Sequence, residues 1–250
     1  MLLLQAGILA LPLLAAAQSD LPEGLYNVEF SQQELNRIQE LFPERGGINP
    51  SYIHSQTDPN LILLDDAEIS VTFIDEGAGY RNSFGYFLYD SEGTVLYEET
   101  LFNNASKIGS GGSLRAGDTL DIGTFEAGSQ IGFWLQAGGY DNPNGYTYYT
   151  IDSLNPDGLR HMAIASDETN ERLVIGIEDL YGLGDEDYND IIFTFSATPF
   201  SAIDRSNIPT GTPTPSAAAV SLIGLAVLYL KRRRRKSTLC VAGTPGNLTD

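Results

Sequence analysis

The sequence predicts an all-β protein, an antiparallel β-sandwich of jelly-roll-like type with one short N-terminal helix and a C-terminal apolar helix. Between residues 67 and 197, hydrophobic residues recur at every second position in nine short segments, which is the period of a strand with one buried face. Clusters of Gly, Asn, Asp and Pro separate these segments, and no helical pattern interrupts them. Two antiparallel sheets packed face to face satisfy this arrangement.

The composition limits the classes of partner. With 42% hydrophobic residues, 13 Tyr and 11 Phe, the 250-residue chain has the composition of a packed domain. Residues 18–230 hold 32 acidic and eight basic residues, a net charge of −24, because six bases lie in one run at 231–236. Such a surface repels phosphate backbones, so we expect no nucleic-acid partner, and it favours divalent cations. The lone Cys240 excludes an intrachain disulfide and a Cys/His zinc pattern.

The N-terminal residues 2–17 form an uncharged apolar run that ends in Ala15-x-Ala17, directly before a polar stretch. A run that is apolar on every face and closes on small residues predicts a secretory signal peptide, residues 1–17, with cleavage after Ala17. It lacks the usual Lys or Arg at its start, and a buried N-terminal helix is the alternative. The signal predicts export across the inner membrane.

Residues 18–64 are predicted as a helix and loop segment. Ser31-Gln-Gln-Glu34 matches a capping box, in which the serine hydroxyl and the glutamate satisfy each other's backbone amides. Leu35, Ile38, Leu41 and Phe42 follow at helical spacing, and Pro43 with Gly46-Gly47 ends the pattern. We expect a short helix packed against the main body.

The β-sandwich domain is predicted over residues 65–197. Its candidate strands are Ile69–Phe73, Phe84–Leu88, Val95–Tyr97, Leu120–Ile122, Ile131–Leu135, Tyr146–Tyr148, Met162–Ile164, Leu173–Ile177 and Ile191–Phe195. After Ala197 the alternation gives way to Pro, Ser and Thr, which predicts a linker over residues 198–215.

The C-terminal region combines a Pro-rich stretch, an apolar run at 216–230 and the basic run at 231–236, followed by a tail at 237–250. A helix of the apolar run rises about 22 Å, short of a hydrocarbon core of about 30 Å. With Pro213-Thr214-Pro215 in place of Pro-Glu-Pro, residues 213–236 resemble PEP-CTERM sorting signals. The resemblance implies membrane contact before processing, removal by a membrane protease, and a mature protein in the cell envelope or outside the cell. A lasting transmembrane anchor is the alternative.

The segment 176–190 holds the densest acidic pattern, between two predicted strands. Its glycines at 182 and 184 allow tight backbone turns, and calcium takes six to eight oxygen ligands in flexible geometry. The flanking helices and spacing of an EF-hand are absent. A solvated acidic turn is the alternative. The predicted calcium ligands are Glu178, Asp179, Asp185, Asp187, Asn189 and Asp190 in this segment, with Glu76 from the end of an earlier strand.

This acidic block resembles the bacterial domain-of-unknown-function family 4114 (DUF4114), together with the stretches Asp75–Asn82 and Asn155–His161. Asp75–Asn82 is also similar to the related domains of LruC-type surface proteins. The resemblance covers roughly residues 65–197. It implies a secreted or surface-attached β-sandwich that binds calcium and has no established catalytic activity.

The leading functional hypothesis is therefore a non-catalytic, calcium-binding module of a bacterial surface or extracellular-matrix protein. A calcium-dependent carbohydrate-binding module, with extracellular polysaccharide as partner, is the second hypothesis. Exposure of Trp134 or of the Tyr146–Tyr149 group beside the acidic segment would favour it, although aromatic residues in alternating strands are usually buried in the core. A glycoside hydrolase using Glu76 and Glu178 is the third. His161 is either a structural residue or a metal ligand or base.

Overall fold

The structure is a computed structural model in which residues 21–44 and 47–211 are described. The predicted signal peptide (1–17), apolar helix with its basic run (216–236) and tail (237–250) lie outside the described residues. No helix within the described ranges is long and apolar enough to cross a membrane.

The described chain forms one short helix, α1, and a series of strands that pair in antiparallel fashion. The elements are β1 (Tyr26–Asn27), α1 (Gln32–Gln39), β2 (Leu61–Ile62), β3 (Ala67–Glu76), β4 (Ser83–Tyr89), β5 (Val95–Phe102), β6 (Asp118–Phe125), β7 (Gln130–Gln136), β8 (Thr147–Tyr149), β9 (Met162–Asp167), β10 (Arg172–Ile177) and β11 (Ile191–Thr198). Single 3₁₀ turns lie at Pro50–Ile53, Asp152–Leu154 and Phe200–Ala202.

Two sheets make up the body, so the predicted all-β sandwich is confirmed. The six-stranded sheet has the order β1-β6-β3-β11-β10-β9. The other has the order β2-β7-β4-β5, with β8 also paired to β7. All nine predicted segments form strands, although β8 begins one residue later than predicted. The strands β1 and β2 have two residues each, too few for a periodic signal.

The main core lies between the two sheets and is built on phenylalanines. Phe84 of β4 stacks on Phe193 of β11 with ring centroids 4.0 Å apart, and Phe133 of β7 lies 4.0 Å from Phe195. All four rings are fully buried, and burial of each contributes about 1.5–3 kcal/mol. These contacts hold the inner faces of the two sheets together.

A second, smaller core covers the outer face of the six-stranded sheet. The capping box of Ser31 and Glu34 forms as predicted and begins α1. Ile38 and Phe42 then pack with Val174 of β10. Since both faces of the sheet are covered, every residue of β10 is buried. The helix therefore fixes the strand that leads into the acidic segment.

The predicted linker at 198–215 differs from the structure in its first part. Thr198 still belongs to β11, and Phe200, Ile203 and Ile208 join the main core. Ile203 forms a bridge with Leu63, which extends the pairing next to β2. The spacing of these apolar residues matches neither a strand nor a helix, so the sequence pattern did not predict that they are buried in the core. The packed domain continues to the end of the described residues at Gly211.

Candidate metal centre

The acidic segment forms the loop between β10 and β11, in which five residues have positive φ angles. Gly182 and Gly184 have positive φ angles of 80° and 53°. Leu183, Glu186 and Tyr188 also lie in the left-handed region, at 69°, 60° and 56°. This conformation costs a non-glycine residue roughly 1–2 kcal/mol, so surrounding contacts must hold it. Side chains from both arms of this loop converge at one point.

Glu178, Asp185 and Asp187 converge at that point. Each offers a carboxylate oxygen, and the three oxygens lie within 4.8 Å of one another. Glu178 and Asp187 are buried, whereas Asp185 is exposed. The Tyr188 N–H donates to Oε1 of Glu178 at 2.8 Å, but Oε2 of Glu178 is buried without a hydrogen-bond partner. We call these three residues the loop cluster.

The electrostatics of the loop cluster are unfavourable for a charged Glu178. Burial raises the pKa of Glu178, and the Tyr188 N–H only partly offsets this. The charges of Asp190, Asp187 and Asp185 raise the pKa of Glu178 further. A buried carboxylate oxygen without a partner costs several kcal/mol unless a proton or a cation neutralises it. A hard divalent cation fits this set, because all the converging atoms are carboxylate oxygens.

Three other predicted ligands lie near one another and are called the inner group, although the charge of Asp190 also acts on Glu178 of the loop cluster: Glu76, Asp179 and Asp190. The Asp179 N–H donates to Oδ2 of Asp190 at 2.8 Å, and Nδ2 of Asn82 donates to Oδ2 of Asp179 at 2.8 Å. Glu76 is only 2% exposed, and burial raises its pKa against weaker opposing interactions with the Ser110 side chain and the Lys107 backbone N–H. Burial, followed by the charge of Asp179, raises the pKa of Asp190.

Glu178 and Asp179 belong to different groups because they are consecutive residues that face different elements. Glu178 contacts the Tyr188 backbone on its own loop, whereas Asp179 contacts Asn82, which precedes β4 of the other sheet. Asn189, the remaining predicted ligand, points its amide toward Oε2 of Glu44 at 3.4 Å. Of the seven predicted residues, Glu178, Asp185 and Asp187 thus converge most closely, and Asp190, whose charge acts on Glu178, links them to Asp179.

His161 has a structural environment. It is fully buried, and its ring stacks on Tyr148 with centroids 3.7 Å apart. Its Nδ1 lies 2.9 Å from the carbonyl oxygen of Glu178, and its Nε2 lies 3.0 Å from Oδ2 of Asp157. Both ring nitrogens thus already have oxygen partners, which favours the structural interpretation over a metal ligand.

Asp157 connects this histidine to the acidic loop, a role that the sequence reasoning missed. Its Oδ2 also accepts the Gly182 N–H at 2.9 Å. Burial opposes ionisation, but hydrogen bonds from Gly182, Leu159 and His161 hold the pKa of Asp157 below its usual range. The Asn-Pro-Asp-Gly turn signal at 155–158 was visible in the sequence, but it did not indicate which loop Asp157 would contact.

An open cleft of about 920 Å³ lies beside the loop, and residues 179–181 form part of its wall. Tyr80, Tyr146 and Tyr181 line it and are 50%, 56% and 58% exposed. The rings of Tyr146 and Tyr181 lie 5.3 Å apart. Trp134, the other aromatic candidate, is buried in the sheet.

The fold and the loop cluster together define a class, a β-sandwich domain with a carboxylate-rich loop between two adjacent strands. Residues 125–198 match the family model described as Domain of unknown function (DUF4114). The resemblance predicted from the acidic block is thus confirmed over this stretch, whereas Asp75–Asn82, which also resembled the family, lies outside it. The match contains the whole loop cluster but not Glu76. No curated protein and no solved structure matches the chain.

Proposed function

We propose that the chain is a secreted or cell-envelope-associated, non-catalytic β-sandwich module that binds calcium at the loop cluster. The observation that carries the proposal is the Glu178 carboxylate, whose Oε2 is buried and unpartnered and which converges with the carboxylates of Asp185 and Asp187. A solvated acidic turn would leave its carboxylates in water. Here two of the three are buried, so the charge has to be neutralised within the protein.

Calcium suits this cluster better than softer metals do. The converging ligand atoms are hard oxygens, and the nearby His161 has both ring nitrogens in hydrogen bonds. A loop of irregular backbone can adapt to the flexible coordination of calcium more readily than to the strict octahedron of Mg²⁺. Backbone carbonyls and water can complete the coordination.

Calcium binding should stabilise the fold, because the ion reduces repulsion that folding creates. An ion that binds only the folded state raises the free energy of unfolding by about 2.7 kcal/mol at a hundredfold excess over its Kd. The melting temperature should then rise by several degrees for a domain of this size.

The test is calorimetry on the full chain in detergent, with calcium and with a chelator. Wild type should melt at a lower temperature in chelator, and Glu178→Gln should lose most of this calcium-dependent difference. Glu92→Gln is the matched control, because Glu92 is exposed in the turn between β4 and β5, at the opposite end of β4 from Asn82. Identical melting curves for wild type with and without calcium would refute the proposal.

The cleft supports a second candidate, a calcium-dependent carbohydrate-binding module. Its exposed tyrosines offer flat apolar faces with polar hydroxyl ends, and Tyr181 follows the loop cluster residue Glu178 by three positions. Calcium that orders the loop would also order this wall of the cleft. The hydrolase hypothesis has less support, since Glu76 and Glu178 are buried and neither lines the cleft.

A further inference from the structure

The open cleft beside the acidic loop has the size of a ligand site, at about 920 Å³. Among the described residues that line it, the single basic side chain is Arg81, which forms an ion pair with Asp141. We infer that the cleft binds a neutral polysaccharide and that the Arg81–Asp141 pair recognises the hydroxyl groups of its sugar rings. This role of the cleft rests on the second candidate function, and the pair specifies the charge and the chemistry of the ligand.

The walls of the cleft are tied together by Asn82, which is fully buried. Its backbone carbonyl accepts the Ala105 N–H at 2.7 Å, in the loop between β5 and β6. Its Oδ1 accepts the Gly138 N–H at 2.8 Å, and its Nδ2 donates to Oδ2 of Asp179 at 2.8 Å. Asn82 itself lies between β3 and β4, so one side chain and its backbone connect four loops that contribute to the lining. The cleft is therefore formed before a ligand enters it.

The Arg81–Asp141 pair is held in place by several contacts. Nε of Arg81 donates to Oδ2 of Asp141 at 2.8 Å, and a second guanidinium nitrogen donates to Oδ1. The guanidinium carbon lies 4.7 Å from the ring centroid of Tyr140. A Cβ at Gly111 would lie 3.0 Å from Cδ of Arg81, which shows how closely that loop approaches the side chain. A planar pair fixed in this way loses little freedom when a ligand binds.

The pair keeps hydrogen-bonding capacity for a ligand. Its two hydrogen bonds use two of the five N–H donors of Arg81, and each carboxylate oxygen of Asp141 has a further lone pair. The two side chains are 38% and 49% exposed. Donors and acceptors thus lie side by side at the surface. Adjacent hydroxyl groups of a sugar ring match them, because each hydroxyl both donates and accepts.

The charges of the lining select against an acidic ligand. A carboxylate or sulfate group would have to compete with Asp141 for Arg81, and Asp179 contributes a second carboxyl group to the lining. The acidic loop next to the cleft adds to the repulsion, as does the net charge of −24 over residues 18–230. A polysaccharide without charged groups avoids these costs.

Tyrosines supply the apolar part of the site. The rings of Tyr146 and Tyr181 lie 5.3 Å apart, and both residues are more than half exposed, so they can stack on the C–H faces of sugar rings. Tyr148 also lines the cleft, yet its hydroxyl is buried without a hydrogen-bond partner. An unpaired buried hydroxyl is unfavourable. A ligand hydroxyl, directly or through one water molecule, can satisfy it.

The test is titration calorimetry on the full chain in calcium, in a detergent without a sugar headgroup. Cellohexaose, mannohexaose and maltohexaose are the neutral probes, and a hyaluronan hexasaccharide is the acidic one. Wild type should bind at least one neutral probe and not the acidic probe. Arg81→Gln and Asp141→Asn should each weaken this binding at least tenfold. Arg205→Gln is the matched control and should not, because Arg205 pairs with Glu168 and lies over the Phe200 ring outside the cleft.

Arg81→Lys separates recognition of the sugar from packing of the loops. Lysine keeps a positive charge for Asp141 but offers a compact ammonium group in place of the planar fork. We expect about tenfold weaker sugar binding with a melting temperature close to that of wild type. If sugar affinity falls only in variants whose melting temperature also falls, the pair has a structural role alone and does not recognise the ligand.

The remaining outcomes separate the cleft from the loop cluster. Failure of wild type to bind any of the neutral probes, tighter binding of the acidic probe, or unchanged binding in both Arg81→Gln and Asp141→Asn would overturn the neutral polysaccharide site. Calcium affinity is measured on the same proteins and should be unchanged in these variants. If wild type binds a neutral probe through Arg81 but binds no calcium, the loop cluster proposal fails and the cleft site remains.

Discussion

Glu178 illustrates how one buried carboxylate makes stability depend on pH and, under the proposed function, on calcium. Burial raises its pKa to about 8 in the metal-free protein. The folded state therefore holds this proton more tightly than the unfolded state does, so the free energy of unfolding is higher at acidic pH. It declines as the pH rises from about 4.3, the ordinary pKa of glutamate, through the raised folded-state value.

We predict that in chelator the domain is less resistant to urea at about pH 8.5 than at about pH 6. Saturating calcium should reduce this loss, because the ion takes over the role of the proton. Urea unfolding at both pH values, with and without calcium, measures the effect. Glu178→Gln should show a smaller pH dependence than wild type in chelator, and equal pH dependence in the two proteins would contradict the prediction.

The glycines of the loop allow a test that changes no charged group. A Cβ at Gly184 would lie 3.2 Å from Oε2 of Glu178 and 3.1 Å from a methyl carbon of Leu180. A Cβ at Gly182 would have no neighbour within 4 Å, although both glycines have positive φ angles. We predict that Gly184→Ala weakens calcium binding about tenfold, or about 1.4 kcal/mol, whereas Gly182→Ala mainly adds backbone strain.

Titration calorimetry compares the two alanine variants with wild type. Similar affinities in both variants would show that the space next to Glu178 does not matter for the ion.

At the scale of elements, the loop between β10 and β11 carries both the loop cluster and residues 179–181 of the cleft wall. We predict that Tyr181→Ala weakens binding of a neutral oligosaccharide such as cellohexaose while leaving calcium affinity unchanged. Tyr97→Ala is the control, since Tyr97 is 46% exposed on β5 and does not line the cleft. Titration with the sugar, in calcium and in chelator, checks the effect. Absence of sugar binding by wild type in calcium would remove the carbohydrate-binding candidate for this ligand.

Strand positions could be predicted from sequence because a period of two is a local signal. The segment from Phe200 to Ile208 could not, since its contacts with Leu63 and the core are made by isolated residues far apart in sequence. The acidic loop was also predicted from its local density of oxygen donors. The hydrogen bond between Asp179 and Asn82 was not predicted, because the two residues lie 97 positions apart in the sequence.

At the scale of the whole molecule, the packed residues end close to the predicted sorting signal. Contacts at Ile208 and the bridge between Ser166 and Thr210 belong to the domain. We predict that a chain ending at residue 211 is exported as a stable domain, whereas one ending at residue 197 is less stable. Fractionation and thermal melts of the two truncated chains test this, and equal melting temperatures would contradict it.

The proposed sorting can be tested by identifying the C-terminus of the mature protein and by changing the basic run. Replacing Arg232–Arg235 by serines should impair membrane retention of the precursor, because positive charges hold the tail on the cytoplasmic side. Mass spectrometry of the protein from its host should find no intact residues 239–250. Their recovery from the envelope fraction would favour a lasting transmembrane anchor.

The central pairing of β3 with β11 has a consequence for how the protein folds. Glu76 and Ile191, which face each other in this pair, are more than a hundred residues apart. Contacts of such long range form slowly, whereas β9, β10 and β11 are neighbours in sequence and in the sheet. The acidic loop lies inside this local unit, and closing the β10–β11 hairpin brings its carboxylates together. An ion that binds as this hairpin closes would stabilise the early folding structure, so calcium would affect the rate of folding as well as the stability of the folded state.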